Sequence, residues 1–124
     1  MNILVIDDSE VARSMIEATL ADYGHRVIGM GSPIGATRMV VREKIDVVVL
    51  DLQMPDVRGD RIAALFRQGA RTQKVGVVLI SGAAYEELAA LGESCGADAV
   101  VTKEEMKQVL PHAVTTAYRS RRLR

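Results

Sequence analysis

Tryptophan, long apolar runs and an excess of either charge are missing from this sequence, and cysteine is limited to one residue. The single Cys95 among 124 residues excludes an intrachain disulfide and a cysteine-rich metal site. A reducing compartment, the cytoplasm, is therefore the expected home. Aromatic residues are limited to Tyr23, Phe66, Tyr85 and Tyr118, so stacking of nucleic-acid bases on rings is not an expected activity. No stretch approaches the ~18 apolar residues of a membrane span, and the first apolar run, Ile3 to Ile6, stops at Asp7 and Asp8, unlike a signal peptide. Sixteen basic residues balance sixteen acidic ones, which gives no global attraction to nucleic acid or to anionic membranes. The length suits one domain, taken as residues 1–124, with no room for separate cofactor and substrate domains.

What is present is a regular alternation of short apolar runs with longer amphipathic segments. Strands are expected at Asn2–Ile6, Arg26–Met30, Asp46–Leu50, Lys74–Ile80 and Ala99–Thr102. Val47 to Leu50 is apolar without alternation, the pattern of a strand buried on both faces of a parallel sheet, and the fourth strand carries Val75, Val77, Val78, Leu79 and Ile80. Between them lie helical patterns. Ser9 can cap a helix with Val11, Met15, Thr19 and Tyr23 at steps of four, followed by Gly24 at its C-terminal end. Ser32-Pro33 is expected to open a second helix, with Ala36, Met39 and Val40 inward. A loop containing Pro55 and Gly59 leads to a third, with Ile62, Leu65 and Phe66 inward and Gly69 closing it. Tyr85–Cys95 is the fourth, with Leu88, Leu91 and Cys95 on one face and Gly96 beyond. The last runs from about Val109 to Arg121, with Pro111 in its first turn. Repeated strand–helix units imply an α/β fold, a parallel sheet between two layers of helices with right-handed crossovers.

In such sheets ligands bind beyond the carboxyl ends of the strands. There the first strand presents Asp7 and Asp8, the third Asp51, the fourth Ser81 and the fifth Lys103. The second presents only Gly29, Met30 and Gly31. Each residue alone has a plainer explanation. An acidic pair favours a helix N-terminus, a serine beside Gly82 makes turns, and a lysine is usually solvated. Three carboxylates, a hydroxyl and an ammonium on one edge are poorly explained that way.

These residues resemble the receiver domain of bacterial two-component response regulators of the CheY-like type. The resemblance lies in Ile6-Asp7-Asp8-Ser9, in Asp51-Leu52-Gln53-Met54-Pro55 with Gly59, in Ser81-Gly82 and in Lys103, in that order on those strands. It covers essentially the whole chain. It implies the flavodoxin-like (βα)5 doubly wound sheet with strand order 2-1-3-4-5, an order the spacing itself does not supply. It implies Asp51 as phosphoacceptor and Mg²⁺ held by Asp8, by Asp7 through a water, by Asp51 and by the backbone carbonyl of Gln53. Lys103 and Ser81 would contact the phosphoryl group. The donor would be a phosphohistidine on a sensor histidine kinase or histidine phosphotransfer protein. The downstream partner would be a protein docking on the face of helix 4, strand 5 and helix 5, and no membrane or direct nucleic-acid contact is implied. Elementary chemistry agrees. Clustered carboxylates repel unless a cation sits among them, and Mg²⁺ takes one or two carboxylates plus a phosphate oxygen. A carboxylate can act as nucleophile toward phosphorus, and such transfer needs mostly positioning and charge neutralisation.

Two positions depart from the family's pattern. Val100 stands where an aromatic switch residue is common, and Glu104 follows Lys103 where proline, often cis, is common. Output is therefore expected to run through Ser81 and the helix beginning at Tyr85, and the Lys103–Glu104 bond to be trans. Two rivals remain. A small phosphohydrolase would use Asp51 as nucleophile, but such enzymes place a second carboxylate nearby and Gln53 holds that spot. A dinucleotide-binding fragment could be read from Gly29-Met30-Gly31-Ser32-Pro33-Ile34-Gly35, which leaves Asp7, Asp8, Ser81 and Lys103 unexplained. The basic run Arg119 to Arg124 is most simply a solvated helix end.

Overall fold

The structure, a computed structural model, describes residues 1–55 and 57–122. In chain order it comprises β1 (Asn2–Ile6), α1 (Glu10–Ala21), β2 (Arg26–Met30), α2 (Ala36–Arg42), β3 (Val47–Asp51), α3 (Gly59–Gln68), β4 (Gly76–Ser81), α4 (Tyr85–Cys95), β5 (Ala99–Thr102), a 3₁₀ turn (Lys103–Glu105) and α5 (Met106–Arg122). All strand pairs are parallel, and the order is β2-β1-β3-β4-β5. Ile6 pairs with Leu50, Asp51 with Ile80 and Ser81 with Thr102. This register brings the first residues past β1 level with the ends of β3 and β4.

Alternation of side chains along the strands divides the core in two. Leu4, Ile6, Val48, Leu50, Val77 and Leu79 meet Val40 of α2, Ile62 and Phe66 of α3 and Leu88 of α4 on one face. Ile3, Val5, Val47, Val49, Val78 and Ile80 meet Ile16 and Leu20 of α1 and Leu110 and Val114 of α5 on the other. Burial of each such side chain contributes about 1.5–3 kcal/mol. The two faces account for the unbroken apolar runs of β3 and β4.

Several expectations are corrected. The four-residue stripe of α1 is not its inward face: Val11 is 73% and Tyr23 65% exposed, whereas Ile16 and Leu20 are buried. A step of four residues overshoots one turn by about 40°, so such a stripe winds off the contact line. Ser32 and Pro33 do not open α2. The Ser32 hydroxyl accepts from the Ile34 N–H at 3.2 Å in a local turn, and the helix starts after Gly35, which takes a left-handed φ of 82°. Leu65 is exposed, because Ile62, Ala63 and Phe66 already fill the inward stripe of α3. The 3₁₀ turn carries the chain from β5 straight into α5, so that helix begins at Met106 and Pro111 lies inside it, buried. Strands β3 and β4 end one residue later than expected, making Asp51 and Ser81 their last residues. No peptide bond among the described residues is cis, as expected for Lys103–Glu104. Of the terminal basic run, Leu123 and Arg124 lie outside the described residues. No described helix is long and apolar enough to cross a membrane.

Candidate functional site

The ends of β1 and β3 bring Asp7, Asp8 and Asp51 together, with one carboxylate oxygen of each within 4.8 Å of the others. Asp7 and Asp51 are buried, while Asp8 is exposed. Local backbone holds them. The Ser9 N–H donates to Asp7 Oδ1 at 2.9 Å, and the Gln53 N–H donates to Asp51 Oδ1 at 3.1 Å. Arg13, reaching back from α1, donates from Nη1 to the Asp7 carbonyl at 2.8 Å. Gly59 opens α3 against the end of β3. A β-carbon there would stand 2.4 Å from the Asp51 carbonyl oxygen, so only glycine allows this approach.

Lys103 is the local cation. Its Nζ lies 3.6 Å from Asp7 Oδ2 and 3.7 Å from Asp51 Oδ1. Neither contact is a hydrogen bond, and Asp7 Oδ2 is buried without one. Burial pushes the Asp51 carboxyl up to about 6, and the Asp7 charge adds to this. The Gln53 N–H and the Lys103 ammonium pull the other way. One ammonium thus faces three clustered carboxylates, and a buried oxygen lacks a donor. All the candidate ligand atoms are hard oxygens. Such a set fits a divalent cation of the Mg²⁺ type.

The remaining candidates lie around this core. Ser81 is fully buried at the end of β4, and its Oγ accepts from the Ala83 N–H at 3.1 Å, turned into its own loop. Gln53 is exposed, beside Asp51 in the β3–α3 loop. Tyr85 begins α4 and is exposed. Val100 is half-buried against α4. Arg13 was not singled out from the sequence, where an arginine in an amphipathic helix carries no signal. Gly59 belonged to the recognised motif, but its reason, contact with the Asp51 backbone, is visible only in three dimensions.

The sequence matches the model of the response regulator receiver domain over residues 3–115, and the chain belongs to that family. Protein PilH of Pseudomonas aeruginosa is 27% identical, over 87% of this chain and 89% of its own length. The transcriptional regulatory protein AfsQ1 of Streptomyces coelicolor is 25% identical over 95% of this chain but 51% of its own length. The gliding motility regulatory protein of Myxococcus xanthus is 29% identical over 92% of this chain and 15% of its own. The chain thus spans about half or less of the length of several curated relatives. Among solved structures, a response regulator receiver domain protein of Clostridium thermocellum superposes with a TM-score of 0.85 at 27% identity, covering 98% of this chain and 97% of that one. The chain is a receiver domain of two-component signalling, and this domain is a signalling module rather than an enzyme. A methylesterase relative from Anaeromyxobacter dehalogenans is matched over only 30% of its length.

Proposed function

We propose that Asp51 accepts a phosphoryl group from a phosphohistidine, carried by a sensor histidine kinase or histidine phosphotransfer protein, and that the phosphorylated form binds a downstream protein. The observation that carries this reading is the placement of Asp51. It ends a central strand, one oxygen is fixed by the Gln53 N–H, and Lys103 Nζ stands 3.7 Å away. An Asp51 oxygen attacks phosphorus, forming the P–O bond of an acyl phosphate. The P–N bond breaks, its electron pair goes to the imidazole nitrogen, and that nitrogen takes a proton from solvent. Lys103 offers its positive charge to the phosphoryl oxygens. Ser81 supplies a rotatable hydroxyl donor once it turns from the Ala83 N–H. Asp7, Asp8, Asp51 and the Gln53 carbonyl would hold Mg²⁺, which when bound neutralises the carboxylates and the incoming phosphoryl charge.

Output would run from Ser81 into α4, beginning at Tyr85, and to the face of α4, β5 and α5, with the cytoplasm as the setting. The test is intact mass after incubation with a small phosphodonor and Mg²⁺. One phosphoryl group is expected on the native chain and none on Asp51→Asn. A phosphoryl group gained by folded Asp51→Asn would refute the assignment.

A further inference from the structure

At the pole opposite the carboxylates, where β3 and β4 begin and α2, α3 and α5 end, lies a cavity of about 660 Å³. Lys44, Arg71, Lys74, Arg121 and Arg122 line it against one carboxylate, Asp46. We infer that this cavity binds a compact polyphosphate anion, a nucleoside diphosphate or an inorganic pyrophosphate.

The charge there is not already balanced. Arg121 is held by the buried Asp98 carboxylate at 2.8 Å, and Arg122 lies 3.8 Å from Asp46. Lys44, Arg71 and Lys74 form no ion pair among the described residues. Helix C-termini attract cations, each carrying about half a negative charge. The dipoles of α2, α3 and α5 thus balance roughly one and a half positive charges, and the α2 terminus already has Arg42 in its last turn. A cationic surplus remains, although the chain as a whole has no net charge. An adjoining cleft shares Val41 and Arg71 and adds Arg38 and Arg42, the last paired with Glu43 at 3.3 Å.

A second observation is the backbone at Lys44. Its φ is 52°, making it the one left-handed non-glycine among the described residues. That conformation favours glycine. The position is nevertheless fixed, since Asn2 Nδ2 donates to the Lys44 carbonyl at 3.2 Å. A lysine there bears conformational strain while placing a cation at the cavity.

Shape selects the class of ligand. The volume falls in the range of small-molecule sites, about 300–1,000 Å³. The free cations come from two separate connections, α2–β3 and α3–β4, and so can reach different phosphoryl groups of one ligand. Arg71 offers a bidentate fork and the lysines point charges. Tyr118 supplies an aromatic wall, its ring covered by the Arg122 guanidinium at 4.8 Å from the centroid. This is a concave site for a small anion with room for a ring, rather than a flat track for a nucleic-acid backbone.

The test is calorimetric titration of the 124-residue Asp51→Asn chain in EDTA, which removes the carboxylate site from the measurement. ADP, pyrophosphate, adenosine and a single-stranded oligonucleotide are the probes. Saturable one-to-one binding of ADP or pyrophosphate is expected, with none of adenosine. It should weaken at least tenfold in Lys74→Ala and in Lys44→Gly, the latter keeping the left-handed backbone, and persist in Lys107→Ala. Tighter binding of ADP identifies a nucleotide as the source, and equal binding an inorganic polyphosphate. No saturation by millimolar ADP or pyrophosphate, binding unchanged in both variants, or binding of the oligonucleotide alone would overturn the inference.

Discussion

Gly92 of α4 lies directly beneath Val100 of β5: a β-carbon at Gly92 would come within 2.6 Å of Val100 Cγ1. The missing side chain at one position makes room for the branched one at the other. In an exposed helix, Gly→Ala stabilises by up to about 1 kcal/mol. Here Gly92→Ala is expected to destabilise by about 1–3 kcal/mol through overpacking. The Gly92→Ala/Val100→Ala double variant should recover most of that loss. Urea unfolding of the four chains measures the coupling, and additive effects would show that the two residues are independent.

Metal affinity should depend more on Asp8 than on Asp7. Asp7 already gives Oδ1 to the Ser9 N–H, whereas the exposed Asp8 carboxylate forms no hydrogen bond or ion pair among the described residues and loses little hydration on binding a cation. Mg²⁺ titration is expected to show at least a tenfold loss in Asp8→Ala and a smaller one in Asp7→Ala. An unchanged affinity in Asp8→Ala would contradict this division.

The strand pattern and strand-end chemistry were legible because parallel strands bury both faces and place their exits on one edge. Asp7, Asp8, Asp51 and Lys103 do meet there. Helix faces were less legible. Val11 and Met15 follow a four-residue step as well as Ile16 and Leu20 do, and only packing against β1 and α5 selects between them. The start of α5 was missed because Lys103-Glu104-Glu105 has no capping signature; the chain winds from β5 into the helix through a 3₁₀ turn. Asp98 gave no signal either. One aspartate before a strand looks solvated, yet Arg67 and Arg121 each reach it at 2.8 Å, from residues far off in sequence.

That buried carboxylate carries its own prediction. Asp98 also accepts from the Val77 N–H at 2.9 Å, so it ties α3, α5 and β4 together. Removing one member of a buried ionic cluster costs about 3–5 kcal/mol. Asp98→Ala should lose that much in urea unfolding, and a loss below about 1 kcal/mol, the level of an exposed pair, would refute the role.

Stability of the metal-free protein should fall as pH rises through Asp51. Burial raises this carboxyl from 3.8 to about 6, so the folded chain holds the proton more tightly than the unfolded one. The associated stabilisation is complete below about 4 and is lost as pH rises to about 6. Asp51→Asn keeps the acceptor for the Gln53 N–H without the charge. It should stabilise the protein in EDTA by about 1–2 kcal/mol at pH 7.5, with less gain at pH 4.5. Equal gains at both pH values would remove burial of charge as the cause.

Activation should act mainly through the Ser81 loop and α4, with only a small change at Val100. Val100 is β-branched and stiff about χ1, half-buried over Gly92, and has no ring to swing between buried and exposed positions. Among the described residues the Ser81 hydroxyl is held only by the Ala83 N–H at 3.1 Å. Turning it toward a phosphoryl group on Asp51 frees that N–H and lets the segment leading to Tyr85 rearrange. The α4 N-terminus has no side-chain cap to resist. Hydrogen exchange with and without a phosphate mimic and Mg²⁺ should therefore change mainly in residues 81–95 and little at Val100. Ser81→Ala should abolish the change and Val100→Ala should leave it. The reverse result, a response lost in Val100→Ala and kept in Ser81→Ala, would place the switch in β5 instead.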